Sequence, residues 1–411
     1  MAHRADRRVT HARRWIGALL LAFAGGPAAA ESLEDAIPQL YGKEVKTTIG
    51  RVAEPLQPRS LSQFESLSAV LRSSVPSLPL PSASGSFRFV FDPRFDTYAR
   101  RTQSMGPIFA ERAQTIGRGK AILDVSVSHA EFDTFEGDDL DRLEFSEPAF
   151  AVTAQLPPED RERVRSERLR TELDLDIATE SFLLAAAYGV RDDLDVSLGL
   201  TLTNLRFSVT GTTRVQDDSG PVDTSFVASD ESRFCTRDGR TDKKCLTNSV
   251  EDSKFGTGDV LLRAKWNFAG TELADLAVAG TLTIPTGGAD DFLGFHDPTF
   301  TPLLIASKSF GRISPHLNLG YAVRSGEDVS QALWVAGVDV RADERFTLAF
   351  DALGFHDDRR DGLNDDVVQG AFGFKVNPFG RSVLAASFQV PMNRDGLRAD
   401  VIYTVQVEQS F

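Results

Sequence analysis

The 411-residue sequence is poor in cysteine, with two residues, and in positive charge, with 45 lysines and arginines against 59 acidic residues. Proteins that bind nucleic acid carry an excess of basic residues, so this balance argues against nucleic acid as a partner. The sequence also lacks the Gly-x-Ser-x-Gly motif that holds the nucleophile of many hydrolases. After the first 30 residues, no stretch approaches the ~18 consecutive apolar residues of a transmembrane helix. These absences argue against a helical membrane protein and give no support to an enzyme.

The first 30 residues have the three parts of a secretory signal peptide. Residues 1–14 hold five arginines and one aspartate, an apolar stretch begins at Trp15, and the small residues of Pro27-Ala-Ala-Ala30 follow. This order predicts a signal peptide over residues 1–30 that is cleaved after Ala30. No cysteine follows the cleavage site, so the signal is not that of a lipoprotein. Without these residues the formal net charge changes from −14 to −18.

Residues 117–411 alternate between apolar and polar side chains, which is the pattern of strands with one apolar face. In residues 259–268, Val260, Leu262 and Trp266 share one face, while Arg263 and Lys265 share the other. The pattern predicts twelve strands, although ten or fourteen also fit. They lie at 119–134, 169–189, 194–212, 257–269, 275–287, 299–310, 314–325, 331–341, 345–355, 365–377, 382–391 and 397–411.

We predict an all-β fold, an antiparallel transmembrane β-barrel in the outer membrane of a Gram-negative bacterium, with outer-membrane lipid and the assembly machinery as partners. A soluble sandwich or barrel also alternates, and it is the alternative. The predicted connections alternate between short and long along the chain, and aromatic residues cluster beside the short ones, as in outer-membrane barrels. The last strand ends in Phe411, which we interpret as an assembly signal. One strand, 169–189, changes phase between Ile177 and Phe182, and this predicts a bulge or a missed turn.

The segment at 31–116 has a different character from the rest of the chain. Two capping boxes and helical spacing predict a short helix at about 59–73, and the proline-rich run at 76–81 cannot be part of a helix interior. The helix needs a partner for its apolar stripe. The segment is therefore predicted to be a plug of the barrel or a periplasmic segment, either a tail or a docking site.

Five motifs, taken in order, resemble a known family. They are Ser104–Lys120, Tyr188–Val196, Gly256–Val260, Ile284–Gly288 and Asn318–Tyr321. Over about residues 60–411 the chain resembles the bacterial outer-membrane family labelled as a transporter of the phenol-degradation meta pathway. The resemblance implies an outer-membrane β-barrel that passes small compounds, aromatic or hydrophobic ones among them. It implies no catalytic residues.

Charged residues of both signs are predicted on the inner face of the barrel. Two interpretations stay open: a solvated lumen with mutually paired charges, or a constriction that selects solutes by charge. The predicted lumen-facing residues are Asp124, Asp174, Asp195, Asp259, Arg263, Lys265, Asp339, Arg341, Lys375 and Glu408, with Glu172, Asp176 and Asp351 beside them.

Two further patterns lie in predicted loops. Cys235 and Cys245 share the loop at 213–256, and in an oxidising compartment they are expected to form a disulfide, with free thiols or a metal site as alternatives. The sequence Leu-Gly-Phe-His-Asp occurs twice, ending at Asp297 and at Asp357. His296 and His356, with the aspartates that follow them, are either ordinary loop residues or pairs at the mouth that bind a divalent ion or a solute.

The sequence favours an outer-membrane channel or transporter for a small-molecule solute, without a cofactor and without catalytic residues. A structural or adhesive barrel is the first alternative. A lipid-modifying outer-membrane enzyme is the second, because some such barrels carry serine and histidine on their outer wall.

Overall fold

The computed structural model describes residues 33, 40, 45–49, 52–55, 70–82, 86, 89–92, 97–100, 104–149, 157–158, 161, 166–217, 221–228, 233–326, 329–358 and 366–411. The predicted signal peptide lies outside these residues. Leu33–Phe411 is one compact unit. No helix among the described residues is long and apolar enough to cross a bilayer.

Twelve antiparallel strands close into a barrel, as the sequence predicts. The strand β12 pairs with β1, and β1 pairs with β2, so the twelve strands form a closed ring. The strands are β1 Ala121–Phe135, β2 Glu167–Arg191, β3 Leu194–Asp217, β4 Arg240–Gly270, β5 Asp275–Ile284, β6 Thr299–Ser307, β7 Ile313–Ala322, β8 Gln331–Arg341, β9 Phe346–Asp357, β10 Asp366–Phe379, β11 Ser382–Pro391 and β12 Leu397–Ser410.

Short turns join strands at one end of the barrel, which we call the short-turn end, and longer connections lie at the long-loop end. Along each strand, successive side chains point outward and inward. The outward residues of the barrel wall are mostly apolar and exposed, whereas the inward ones are mostly buried. Exposed outward residues include Leu123, Leu198, Leu262, Leu319, Phe388 and Val405, and aromatic ones near the short-turn end include Tyr188, Trp266, Phe310, Phe379 and Phe411.

Both alternatives predicted within β2, a bulge and a missed turn, are wrong. Between Glu167 and Gly189, β2 pairs with β3 without a register shift. Leu173 and Ile177 point inward, whereas Leu184 and Tyr188 point outward, so the apolar face changes while the backbone stays regular. The reason is that β2, β3 and β4 extend beyond the other strands at the long-loop end. There the inner face covers a hydrophobic core, so the apolar residues lie inside.

This core fills the long-loop end of the barrel and is built partly by the N-terminal segment. Leu33, Leu40 and Ile49 pack in the same cluster as Leu173 and Phe207. The strand Lys46–Ile49 pairs with Val52–Pro55 and with Ser225–Val227 of the connection between β3 and β4. Residues 45–49 and 52–55 therefore lie at the long-loop end, far along the barrel from the start of β1.

The remaining elements are short. A helical turn at 70–74 lies at the end of the predicted helix, whose earlier residues lie outside the described ones. The others are a hairpin of Phe89–Asp92 and Thr97–Arg100, strands Asp138–Asp139, Leu143–Pro148 and Phe234–Arg237, and 3-10 turns Leu140–Arg142 and Ala289–Asp291.

Candidate functional site

Residues 104–116 cross the inside of the barrel, and we call this segment the internal belt. Its backbone bonds to inward side chains of several strands. The Met105 amide donates to Thr347 Oγ1 at 3.1 Å, and the Ala113 amide donates to Ser307 Oγ at 2.9 Å. The Ile116 amide donates to Asp195 Oδ2 at 3.1 Å, close to the first short turn. The belt is thus attached around the barrel wall rather than at one point.

Glu111 is the main anchor of the belt. Its carboxylate Oε2 lies 2.7 Å from Arg263 Nη2 on β4. Its amide donates to Asn318 Oδ1 at 2.6 Å, and its carbonyl accepts from Asn318 Nδ2 at 3.0 Å. Neither Glu111 nor Asn318 was among the predicted site residues, although the alternation of β7 places Asn318 on the inner face.

Lys265, on β4, binds the next part of the belt. Its Nζ donates to the carbonyls of Arg112 and Gln114, at 3.3 and 3.0 Å, and lies 3.8 Å from Asp195 Oδ2. Asn267 Nδ2 donates to the Ala113 carbonyl at 2.9 Å. The predicted inward charges of β3 and β4 therefore bind the chain itself.

A buried histidine joins two of the inward aspartates. His316 Nε2 lies 2.7 Å from Asp351 Oδ1, and His316 Nδ1 lies 3.5 Å from Asp339 Oδ1. Asp351 also accepts a hydrogen bond from the Phe109 amide at 3.2 Å. This cluster connects β7, β8 and β9 to the belt.

Two glycines allow the belt to approach the wall. A side chain at Gly373, on β10, would bring its Cβ within 2.1 Å of Ile108 Cδ1, and one at Gly189 would come within 1.9 Å of the Gly117 carbonyl. At Gly189 the close atom belongs to the backbone, so only glycine leaves room there. Gly189 belongs to one of the motifs that carry the family resemblance, so the sequence held this signal.

The other predicted lumen-facing residues have different partners. Asp124 accepts from Gln406 Nε2 at 2.6 Å, and Glu408 accepts from the Ser86 amide at 2.8 Å. Asp259 accepts from the amides of Gly287 and Phe295 and so holds the connection between β5 and β6. The register of the strands places Lys375 and Arg341 on the inner face, Lys375 buried and Arg341 half-buried.

Asp174 does not face the lumen, and neither do Glu172 and Asp176. All three are exposed on the outward face of β2. They lie in the part of β2 that extends past the shorter strands, where water replaces an apolar exterior. The polar face of that part is consequently the outer one.

A cavity of about 370 Å³ lies inside the barrel, beside the belt and residues 76–82. Its apolar lining includes Leu78, Leu80, Phe109, Leu183, Phe295 and Leu353. Polar side chains are fewer, and they include Arg263, Asn318, Arg324, Gln331 and Gln369. The Arg324 guanidinium lies 4.0 Å from the centre of the Phe295 ring. Such a cavity has the size and the apolar lining of a small-molecule site.

The two histidines of the predicted mouth pairs bond to other aspartates. His296 Nε2 lies 3.0 Å from Asp290 Oδ1, and His356 Nδ1 lies 2.9 Å from Asp366 Oδ1. Asp357 is buried and accepts from Gln331 Nε2 at 2.6 Å. Within the described part of the chain, no group of three or more His, Cys, Asp or Glu residues has the arrangement of a metal site.

Cys235 and Cys245 form a disulfide, with their Cα atoms 5.3 Å apart. The connection that holds it is shorter than predicted, because β3 continues to Asp217 and β4 starts at Arg240. Cys245 therefore lies on a strand, and the disulfide joins it to the short strand that precedes β4.

No family model matches the sequence, and no curated protein matches it. Solved barrels resemble the fold. An outer membrane channel from Pseudomonas putida F1 shares 13% identity, with 73% of this chain and 98% of that chain covered and a TM-score of 0.44. The NanC porin shares 8% identity over 70% and 98%, with a TM-score of 0.36. The CymD monoaromatic hydrocarbon channel shares 8% over 72% and 89%, with a TM-score of 0.35. At these values the likeness concerns the barrel alone.

Proposed function

We propose that the protein is an outer-membrane channel or transporter for small, mainly apolar solutes. The observation that carries this proposal is the cavity of about 370 Å³ inside a barrel whose outer face is apolar. A closed barrel satisfies its backbone hydrogen bonds internally, so it can stand in lipid. A barrel with only a structural role has no need of an internal site lined by aromatic and aliphatic side chains.

The orientation follows from the two ends. Outer-membrane barrels have short periplasmic turns, longer outer loops and aromatic residues at the interfaces. We assign the short-turn end, with Trp266 and Phe379, to the periplasm, and the long-loop end to the cell exterior. Solutes then enter from the side on which β2, β3 and β4 extend.

We propose that the N-terminal segment acts as a plug rather than as a tail. A barrel of about twelve strands has a lumen too wide for its own side chains to fill, since eight strands already approach that limit. The belt lies across this lumen and bonds to β3, β4, β6, β7 and β9. A solute that leaves the cavity towards the short-turn end has to displace it or pass beside it.

The same arrangement explains how inward charges and an apolar solute fit in one barrel. Lys265, Asp195 and Arg263 bind the belt, while Leu80, Leu183 and their neighbours line the cavity. The inward charges therefore hold the plug and leave the solute an apolar surface. This favours paired charges over a constriction that selects by charge.

Tracer uptake tests the proposal. We expect a porin-deficient Gram-negative host that produces the protein to take up radiolabelled toluene faster than the same host without it. If the two hosts take up toluene equally although the protein is present at the cell surface, the structural or adhesive barrel is favoured instead. Release of fatty acids from liposomes that contain the purified protein would instead support the lipid-modifying enzyme.

A further inference from the structure

Arg398, near the start of β12, is a buried cation that contacts no acidic side chain in the described part of the chain. It is 2% exposed. Its Nη2 donates to the Val368 carbonyl at 2.5 Å, whereas Nε and Nη1 have no hydrogen-bond partner. Asp395 influences it only at longer range, and its carboxylate accepts from Asn393 Nδ2 at 3.0 Å. Arg398 forms no ion pair with any residue that the structure describes.

An unpaired buried guanidinium is costly. Taking a charge out of water is unfavourable unless an opposite charge and hydrogen bonds replace the water. Arginine keeps its charge in proteins, so it cannot avoid this cost by losing a proton. The arrangement is stable when an anionic group binds the two free nitrogens.

A second polar side chain without partners lies on the same wall. Gln389, on β11, is 1% exposed, and both its Oε1 and its Nε2 lack hydrogen-bond partners. It lies opposite Ala371 of β10, and the next inward residue of that strand is Gln369, whose Oε1 is also buried without a partner. The wall formed by β10, β11 and β12 therefore carries several buried hydrogen-bond donors and acceptors that have no partner.

The strand β10 of this wall borders the cavity. Val367 and Gln369 both line the cavity, and the carbonyl that Arg398 binds belongs to Val368, between them. The adjoining lining is apolar, with Leu353 of β9 beside Gln369 and with Phe109 of the belt. A solute with a charged head and an apolar body would satisfy both surfaces at once.

We propose that Arg398 and Gln389 form a carboxylate subsite, and that the solute class is a small monocarboxylate with an apolar body. This inference rests on the proposed function, because it takes the cavity to be the solute site. The Arg398 nitrogens donate to the carboxylate, and Gln389 Nε2 supplies a further donor. The apolar body of the solute packs against Phe109 and Leu353.

Equilibrium binding to the purified full-length protein tests the subsite. The probes are benzoate and its neutral analogue benzamide, measured by isothermal titration calorimetry. The wild-type protein should bind benzoate at least tenfold more tightly than benzamide. Arg398→Gln should weaken benzoate binding about tenfold or more, since a hydrogen bond to a charged group is lost, and should leave benzamide binding unchanged. Gln389→Leu should have a smaller effect of the same kind.

The control is Arg214→Gln, which removes the same charge from an exposed position of β3 away from the cavity. Arg398→Lys keeps the charge and should retain part of the preference for benzoate, which guards against a variant that does not fold. Equal weakening of both probes in folded Arg398→Gln, or no preference in the wild type, would overturn the subsite. If neither probe binds the wild type, the proposed function of the cavity fails instead.

Discussion

The Glu111 carboxylate and the Arg263 guanidinium lie 2.7 Å apart, and this ion pair fastens the internal belt to β4. Both side chains are mostly buried, with 11% and 20% of their surface exposed. Removing one partner of such a pair leaves the other charge without compensation, which destabilises more than removing both.

The first prediction concerns this pair. Glu111→Gln should loosen the belt and raise the single-channel conductance in planar bilayers several-fold. The double variant with Arg263→Gln should return towards the wild-type conductance, because no unpaired charge remains. Glu272→Gln, in an exposed turn, is the control. A conductance unchanged by Glu111→Gln in a folded barrel would show that the ion pair does not hold the plug.

The second prediction concerns the position of the N-terminal segment. Lys46 is exposed and its strand pairs with Ser225–Val227 at the long-loop end, whereas Glu272 lies in a short turn between β4 and β5. A membrane-impermeant maleimide should label Lys46→Cys on intact cells, and should label Glu272→Cys only after permeabilisation. The native cysteines are paired and do not react. The opposite labelling would reverse the orientation that we propose.

The third prediction concerns Phe411. Its amide donates to the Ala121 carbonyl at 2.8 Å, beside the seam between β12 and β1, and its ring is 56% exposed. Phe411→Ala should lower the amount of folded barrel in the outer membrane without reducing export. Phe379→Ala, at an exposed aromatic residue of the same end, should have little effect. Heat-modifiable migration on gels measures the folded fraction, and equal loss in both variants would refute a special role for Phe411.

The fourth prediction concerns the disulfide. A bond that closes a loop of this size stabilises by about 2–3 kcal/mol in the chain-entropy model, and here that effect is local. The double variant Cys235→Ala/Cys245→Ala should be cleaved faster by protease within residues 218–239 and should keep the thermal stability of the barrel. Loss of the folded barrel would show that the outer connection supports the whole wall.

The alternation of side chains was sufficient to predict the barrel and its twelve strands. One face of each strand meets an apolar exterior, and the other face meets a mixed polar and apolar interior. It failed where that environment changes. Leu173 and Asp174 follow the same backbone pattern as Leu184, but at their height the exterior is water and the interior is a core. Alternation alone does not reveal the environment on each side of a strand.

The sequence predicted the residues of the barrel wall at the candidate site, but not their partners in the internal belt. Arg263, Lys265 and Asp195 follow from the inward phase of their strands. Their partners lie in the internal belt, more than 70 residues away along the chain, and nothing local in the sequence pairs Glu111 with Arg263. Arg398 was not predicted as a site residue, because the register of β12 shifts beside it and the alternation there does not indicate which face it is on.

The most direct test of the channel compares a bulky side chain that fills the cavity with the same side chain on the outer face of the same strand. Ala185 points into the cavity, and the next residue, Ala186, lies on the outer face of the same strand. We predict that hosts with the wild-type protein or Ala186→Trp take up radiolabelled toluene at similar rates, and that Ala185→Trp, at equal folded expression, falls to the rate of the host without the protein. Wild-type uptake rates in Ala185→Trp would contradict passage through the cavity.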